Sequence, residues 1–118
     1  MRITILLTLL MAMCIQALPL VRRANSGEAT FYGVGLGSCG KKNTNSQMVA
    51  ALSSSLMKNL KARCGKKVKV TNGKKSVVVT VVDSCPGCAK NDIDLSPAAF
   101  KKLASLGAGR IKIKWTDA

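Results

Sequence analysis

Two valine-rich runs meet at an asparagine–glycine pair. Lys66 to Thr71 reads K-K-V-K-V-T, Asn72-Gly73 follows, and Ser76 to Val82 reads S-V-V-V-T-V-V. A period of two residues cannot put one apolar stripe on a helix, but it gives a strand one apolar face. The first run therefore predicts a half-buried strand, with valines inward and lysines outward. The second is almost all valine and predicts a strand buried on both faces. Asn-Gly is the strongest short-range hairpin signal, so the pair is expected to form the two-residue turn between them.

The rest of the chain fits round this hairpin. Gly27 to Gly33 (G-E-A-T-F-Y-G) reads as a first strand, and the glycine-rich run G-V-G-L-G-S-C-G after Tyr32 has too much backbone freedom for a regular element. That run lacks the Lys-Ser/Thr ending of a phosphate loop and is expected to let the chain turn and approach a ligand. Lys41 to Ser46 is a polar loop. Met48 to Leu52 is short and apolar, as in a buried strand, with a helical turn or short helix over Ser53 to Leu60; one amphipathic helix over both is the alternative. Ser96-Pro97 marks a helix start, Ser as N-cap and Pro at the first helical position, and the helix is expected to reach Leu106 with Gly107 as its stop. Arg110 to Trp115 (R-I-K-I-K-W) alternates again as a strand with isoleucines inward. Strands dominate, and there is no internal repeat.

The N-terminus is of a different kind. Residues 1–17, MRITILLTLLMAMCIQA, combine a basic start with an apolar run and read as a secretory signal peptide, too short for a membrane span. Residues 18–23 end in Arg22-Arg23, the pattern of a propeptide processing site, which leaves residues 24–118 as one small domain. A domain of that size often needs covalent help. Cys39, Cys64, Cys85 and Cys88 stay with it. In an oxidising compartment four cysteines read as two disulfides, with three connectivities open. A zinc site is disfavoured because there is no histidine and one C-x-x-C pair, and a thioredoxin-type redox role lacks a helix directly behind Cys85. No metal or cofactor is implied.

The chain carries +14, and without Arg2, Arg22 and Arg23 it keeps 16 basic against 5 acidic residues, or +11. Such a charge attracts polyanions and also serves plain solubility. With Phe31, Tyr32, Phe100 and Trp115 as the aromatic residues, no stacking platform for nucleic acid is legible.

Against that basic background, Val77 to Ser96 holds Asp83, Asp92 and Asp94 around the turn Cys85-Pro86-Gly87-Cys88. Asp83 and Asp94 are candidate site residues. Each also has a plainer fate: Asp94 as a backbone acceptor at the helix entry, Asp83 as a strand terminator or lysine partner. Asp92 reads as a solvated loop residue. Thr30 and Tyr32 alternate with Phe31 on the first strand, and a tyrosine so placed can stack on a sugar face. Phe31, Phe100 and Trp115 read as core.

Taken in order, A-T-F-Y-G, G-S-C-G, C-G-K-K-V-K-V, V-V-D-S-C-P-G-C, D-I-D-L-S-P-A-A-F and G-R-I-K-I-K-W resemble the double-psi β-barrel of the barwin, expansin and rare-lipoprotein-A-like superfamily. The chain looks most like its short, secreted, single-domain members of fungal, loosenin type. The resemblance implies a mainly β fold, a six-stranded barrel with one or two short helices, and disulfides Cys39–Cys64 and Cys85–Cys88. It implies a ligand groove of Thr30, Tyr32, Asp83 and Asp94. In related inverting hydrolases two carboxylates roughly 6.5–9.5 Å apart share the chemistry; the family's general acid maps onto Asp94, but the general-base position is Val34, which cannot accept a proton. The first expectation is a secreted monomer that binds and loosens cell-wall polysaccharide, anionic or mixed, without hydrolysis. A second is a secreted protease inhibitor or effector. A third is a lytic transglycosylase or glycan hydrolase in which Asp94 alone is catalytic.

Overall fold

A computed structural model describes residues 24–118; the segments read from sequence as a signal peptide and a dibasic processing site lie outside the described residues. Six strands close into a barrel in the order β1-β5-β2-β4-β3-β6. They are β1 (Asn25–Phe31), β2 (Val49–Ser53), β3 (Lys67–Asn72), β4 (Lys75–Cys85), β5 (Ile93–Leu95) and β6 (Ile111–Asp117), with α1 (Leu60–Arg63) before β3 and α2 (Pro97–Leu103) after β5. β1 pairs with β5, and β2 with β4, in parallel; the other four pairings are antiparallel. The fold is the expected double-psi barrel.

Alternation fills the interior. Val68 and Val70 of β3, Val79 and Val81 of β4, Ile93 and Leu95 of β5, and Ile113 and Trp115 of β6 are all at most 4% exposed and belong to one core with Phe100 and Leu103 of α2. Phe31 stacks on Phe100 at 4.9 Å between ring centroids, tilted by 58°. Trp115 lowers the cost of burying its indole by donating Nε1 to the Asn91 carbonyl at 2.9 Å. Ser96 caps α2 as expected: its Oγ accepts from Ala99 N at 3.2 Å and donates to Gln47 O at 2.6 Å, tying the helix entry to the end of the loop before β2.

Four local expectations are corrected. Asn72 pairs with Lys75, so the hairpin loop is Gly73-Lys74. Gly73 has φ +61 and Lys74 does not share a positive φ, the glycine-first pattern of a type II′ turn. Asn72 instead donates Nδ2 to Leu103 O at 3.1 Å and satisfies a carbonyl at the C-terminus of α2. That helix ends at Leu103, not Leu106; Ala104 is already extended, a 3-10 turn follows at Leu106–Ala108, and the left-handed glycine is Gly109 (φ +70), not Gly107. Nor is β4 buried on both faces throughout. Val78 is 46% exposed, because the outer side of the barrel is bare there, and only at Val81 and Val82 are consecutive valines both covered.

Finally, residues 54–56 form turns and the helix waits until Leu60, capped by Asn59. Ser53 explains the delay: its Oγ bonds Ser55 Oγ at 3.1 Å and Lys90 O at 2.8 Å, and its carbonyl takes the Leu56 and Met57 N–H groups in tight turns. The single helix over residues 48–60 is excluded by the same geometry.

Candidate functional site

The register places four residues in one row on the outside of the barrel. Thr30 of β1 pairs with Asp94 of β5, Asp94 pairs with Ala51 of β2, and Ala51 pairs with Asp83 of β4. Laterally paired residues project to the same face of a sheet, and Ile93 and Leu95 on either side of Asp94 point into the core. Two strand spacings separate the backbones of Asp94 and Asp83, about 10 Å. Ala51, 2% exposed, stands between the two carboxylates in this row and carries only a methyl group.

Asp83 reaches this face through an irregularity. Ala50 pairs with Val81 but Ala51 pairs with Asp83, so Val82 is the extra residue of a bulge. A bulge shifts the parity of every residue beyond it. Without it, Ala51 would face Val82 and the carboxylate would turn to the other side. The bulge is held by the glycine-rich loop: Cys39 N donates to Val82 O at 3.3 Å, Gly37 is buried, and a Cβ on Gly37 would overlap that same carbonyl oxygen. Gly37 thus approaches the β4 backbone. Ser38 completes the hold, its N–H donating to Asp83 Oδ1 at 2.9 Å alongside the Ser84 N–H at 2.8 Å. The adjoining disulfide joins Cys39 to Cys64 across 25 residues, and Cys85–Cys88 closes the turn after β4. These are the pairings that the resemblance implies.

Asp94 is half-buried and accepts Thr30 Oγ1 at 2.9 Å, so its partner is a side chain and not the helix-entry backbone. Burial raises its pKa above the ordinary 3.8, the Thr30 hydrogen bond and the Arg110 charge lower it, and the Asp83 charge raises it; the net direction is upward. Tyr32 follows Thr30 by two residues on the same side, its N–H donating to Leu95 O at 3.0 Å. Its hydroxyl is buried and finds no hydrogen-bond partner among the described residues. Burial first, then the charges of Asp83 and Asp94, push its pKa up to about 12. Thr30, Tyr32, Asp83 and Asp94 are therefore brought together on one outer face of the barrel.

Val34 stands just beyond β1, half-buried, with its N–H donating to Asn45 Oδ1 at 2.7 Å. Asp92, read from sequence as a solvated loop residue, is instead structural: Oδ1 takes the Glu28 N–H at 2.9 Å, Oδ2 lies 3.9 Å from Arg110, and the side chain is only 17% exposed. Two contributors were missed. Arg110, also 3.6 Å from Glu28, sets part of the field at Asp94, and Ser38 positions Asp83. Arg110 stands out as one of two arginines beyond residue 23; Ser38 had no signal of its own. Among the described residues no helix is long and apolar enough to cross a membrane.

Residues 24–115 match the family model described as lytic transglycolase, a double-psi β-barrel family. An allergen homologue of Arthroderma benhamiae is 42% identical over 82 residues, covering 66% of this chain and 28% of its own. The chain spans a third or less of the length of the allergen relatives it matches. A mutant expansin of Clavibacter michiganensis, solved in complex with cellohexaose, superposes with a TM-score of 0.74 and 32% identity, over 81% of this chain and 50% of that one. The Streptomyces papain inhibitor superposes with a TM-score of 0.72 and 32% identity, over 82% of this chain and 96% of that one.

Proposed function

The chain belongs to the lytic transglycolase family of double-psi β-barrels, and from that premise we propose that it is a secreted, expansin-like protein whose groove binds cell-wall polysaccharide and loosens it without hydrolysis. The observation that carries the reading is the row Thr30–Asp94–Ala51–Asp83 beside a buried phenol hydroxyl without a hydrogen-bond partner among the described residues. A buried polar group without a hydrogen bond costs roughly 1–3 kcal/mol, and a sugar hydroxyl would satisfy Tyr32 by displacing the side chains that close its hydroxyl from solvent. The carboxylates accept from further hydroxyls, in competition with the bonds that hold one glycan chain to the next. The likeness to an expansin complexed with cellohexaose supports the ligand class. The apolar Val34, where related hydrolases have their base, supports binding without cleavage. Secretion follows from the reading of residues 1–17 as a signal peptide.

The test is a pull-down of the protein and its Asp94→Ala variant against cellulose, chitin, pectin and peptidoglycan, at low and high salt. Binding to neutral glycan that survives salt and is lost in Asp94→Ala is expected. New saccharide ends on chromatography, absent from the variant, would replace binding with cleavage by Asp94. A second reading, protease inhibition, is favoured by one observation: the match to the papain inhibitor runs over nearly all of that protein. It predicts inhibition of papain that Asp94→Ala leaves untouched.

A further inference from the structure

The groove occupies the outer side of β1, β5, β2 and β4. In a six-strand cycle β3 lies opposite β5 and β6 opposite β2, so the outer side of β3–β6 faces away from it. That side is built from the residues between the core positions. Lys67, Lys69 and Thr71 alternate with Val68 and Val70, and Lys112, Lys114 and Thr116 alternate with Ile113 and Trp115; all four lysines are exposed. On one strand such lysines stand about 7 Å apart.

The register sets what stands beside each lysine. Lys114 lies between Ser26 of β1 and Thr71 of β3, Lys69 between Thr116 of β6 and Val78 of β4, Lys67 is opposite Thr80, and Lys112 is opposite Glu28 of β1. Lys69 and Lys114 are diagonal neighbours, about 7–8 Å apart. No lysine directly faces another across these strand pairs, so like-charge repulsion is kept low, and hydroxyls stand beside Lys67, Lys69 and Lys114 while Lys112 faces the carboxylate of Glu28. A depression of about 580 Å³ lies in this pattern, lined by Ser26, Glu28, Thr71, Gly73, Lys112 and Lys114. Glu28 is engaged by Arg110 at 3.6 Å.

Lysines on strands commonly block edge-to-edge pairing. Here the barrel is closed and β3 and β6 have neighbours on both sides, so that reason does not apply. The face carries no aromatic side chain on which a base could stack, since Trp115 points inward at 3% exposed. Val78 is its one strongly exposed large apolar residue, too little for insertion into a lipid surface.

We propose that the β3–β6 face is a second docking surface, for an anionic polysaccharide of the polyuronate type. Such a chain repeats carboxylates and hydroxyls, which Lys67, Lys69, Lys112 and Lys114, interleaved with Ser26, Thr71, Thr80 and Thr116, complement. It leaves the groove free for a neutral chain. The choice of a glycan as partner rests on the polysaccharide reading of the groove; the placement of the charge does not.

The experiment is affinity electrophoresis through gels containing polygalacturonate or fully methyl-esterified pectin. It compares the protein with Lys69→Gln/Lys112→Gln/Lys114→Gln, with a control of equal charge loss, Lys58→Gln/Lys61→Gln/Lys101→Gln, and with Asp94→Ala. The face variant should bind polygalacturonate at least about tenfold more weakly, the control less than about twofold, and binding should vanish at about 0.5 M salt. Methyl-esterified pectin should retard none of them through this face. Equal losses in the two lysine variants would mean net charge alone acts and would overturn the proposal, as would full binding by the face variant. Loss of polygalacturonate binding in Asp94→Ala would also overturn it, because a single groove would then serve both polymers. If Asp94→Ala leaves neutral-glycan binding unchanged, the groove reading fails while this one stands. A Lys→Arg version of the face variant keeps the charge and should bind like the parent, which separates lost charge from lost fold.

Discussion

The two outer faces of this barrel follow the same alternation but treat charge in opposite ways. On the groove side each charged group is half-buried and tied: Asp83 by two backbone N–H groups, Asp94 by Thr30, and both act on a buried phenol. On the β3–β6 side the lysines are exposed; Lys67, Lys69 and Lys114 stand beside hydroxyls and Lys112 faces Glu28. Burial makes a few groups strong, shifts their protonation and fixes their geometry. Exposure leaves each charge weak and screened, so that only their number and spacing act. One face is suited to recognising a shape, the other to collecting a charged polymer.

The largest effect expected separates the two faces by damaging one. Gly37→Ala puts a methyl group into the Val82 carbonyl and displaces the bulge that aims Asp83. It should cost about 3 kcal/mol of stability by urea unfolding, at the upper end for overpacking. It should also abolish cellulose binding while polygalacturonate retardation stays intact. If both kinds of binding fall together, the faces are not independent.

Next in size is the ionisation of Tyr32, which is directly readable because the chain has one tyrosine. Alkaline absorbance titration should give a midpoint of about 12 where an unperturbed phenol gives 10.0. The folded state holds this proton more tightly than the unfolded chain, so stability should fall as pH rises from about 10 towards 12. Asp94→Asn should lower the midpoint by removing one of the two charges. The lysine-face triple variant should leave it in place, and a shift there would show that the back of the barrel is felt in the groove.

The smallest effect concerns Asp94 itself. With its folded pKa raised above 3.8, the carboxyl favours folding fully below that value, and the advantage is lost as pH rises through the folded pKa. Asp94→Asn should therefore gain slightly in stability at neutral pH and not at all in acid. Thr30→Val removes the bond that moderates the shift and should raise the Asp94 pKa further, seen by carbon NMR titration, while costing about 1 kcal/mol.

Much of this was legible in one dimension. Alternation located β3, β4 and β6, Ser96-Pro97 located α2, and the ordered motifs pointed to the barrel and to Thr30, Tyr32, Asp83 and Asp94. Where expectations slipped, a distant residue had intervened. Asn72 left the turn to serve the carbonyl of Leu103, 31 residues on, and Asp92 left solvent to hold Glu28, 64 residues back.

What the sequence determined by itself is therefore local: which face of each strand is apolar, where a helix can start, and how much charge of each sign the chain carries. Those are set by side chains within a few residues of one another, whose spacing is fixed by backbone geometry. Only the tertiary structure decided which strands lie side by side, that one extra residue at Val82 turns Asp83 towards Asp94, and that three of the far-side lysines stand beside hydroxyls while Lys112 faces Glu28. Such outcomes depend on the register between segments far apart in the chain, where a slip of one residue reverses every side chain and no local signal records the choice.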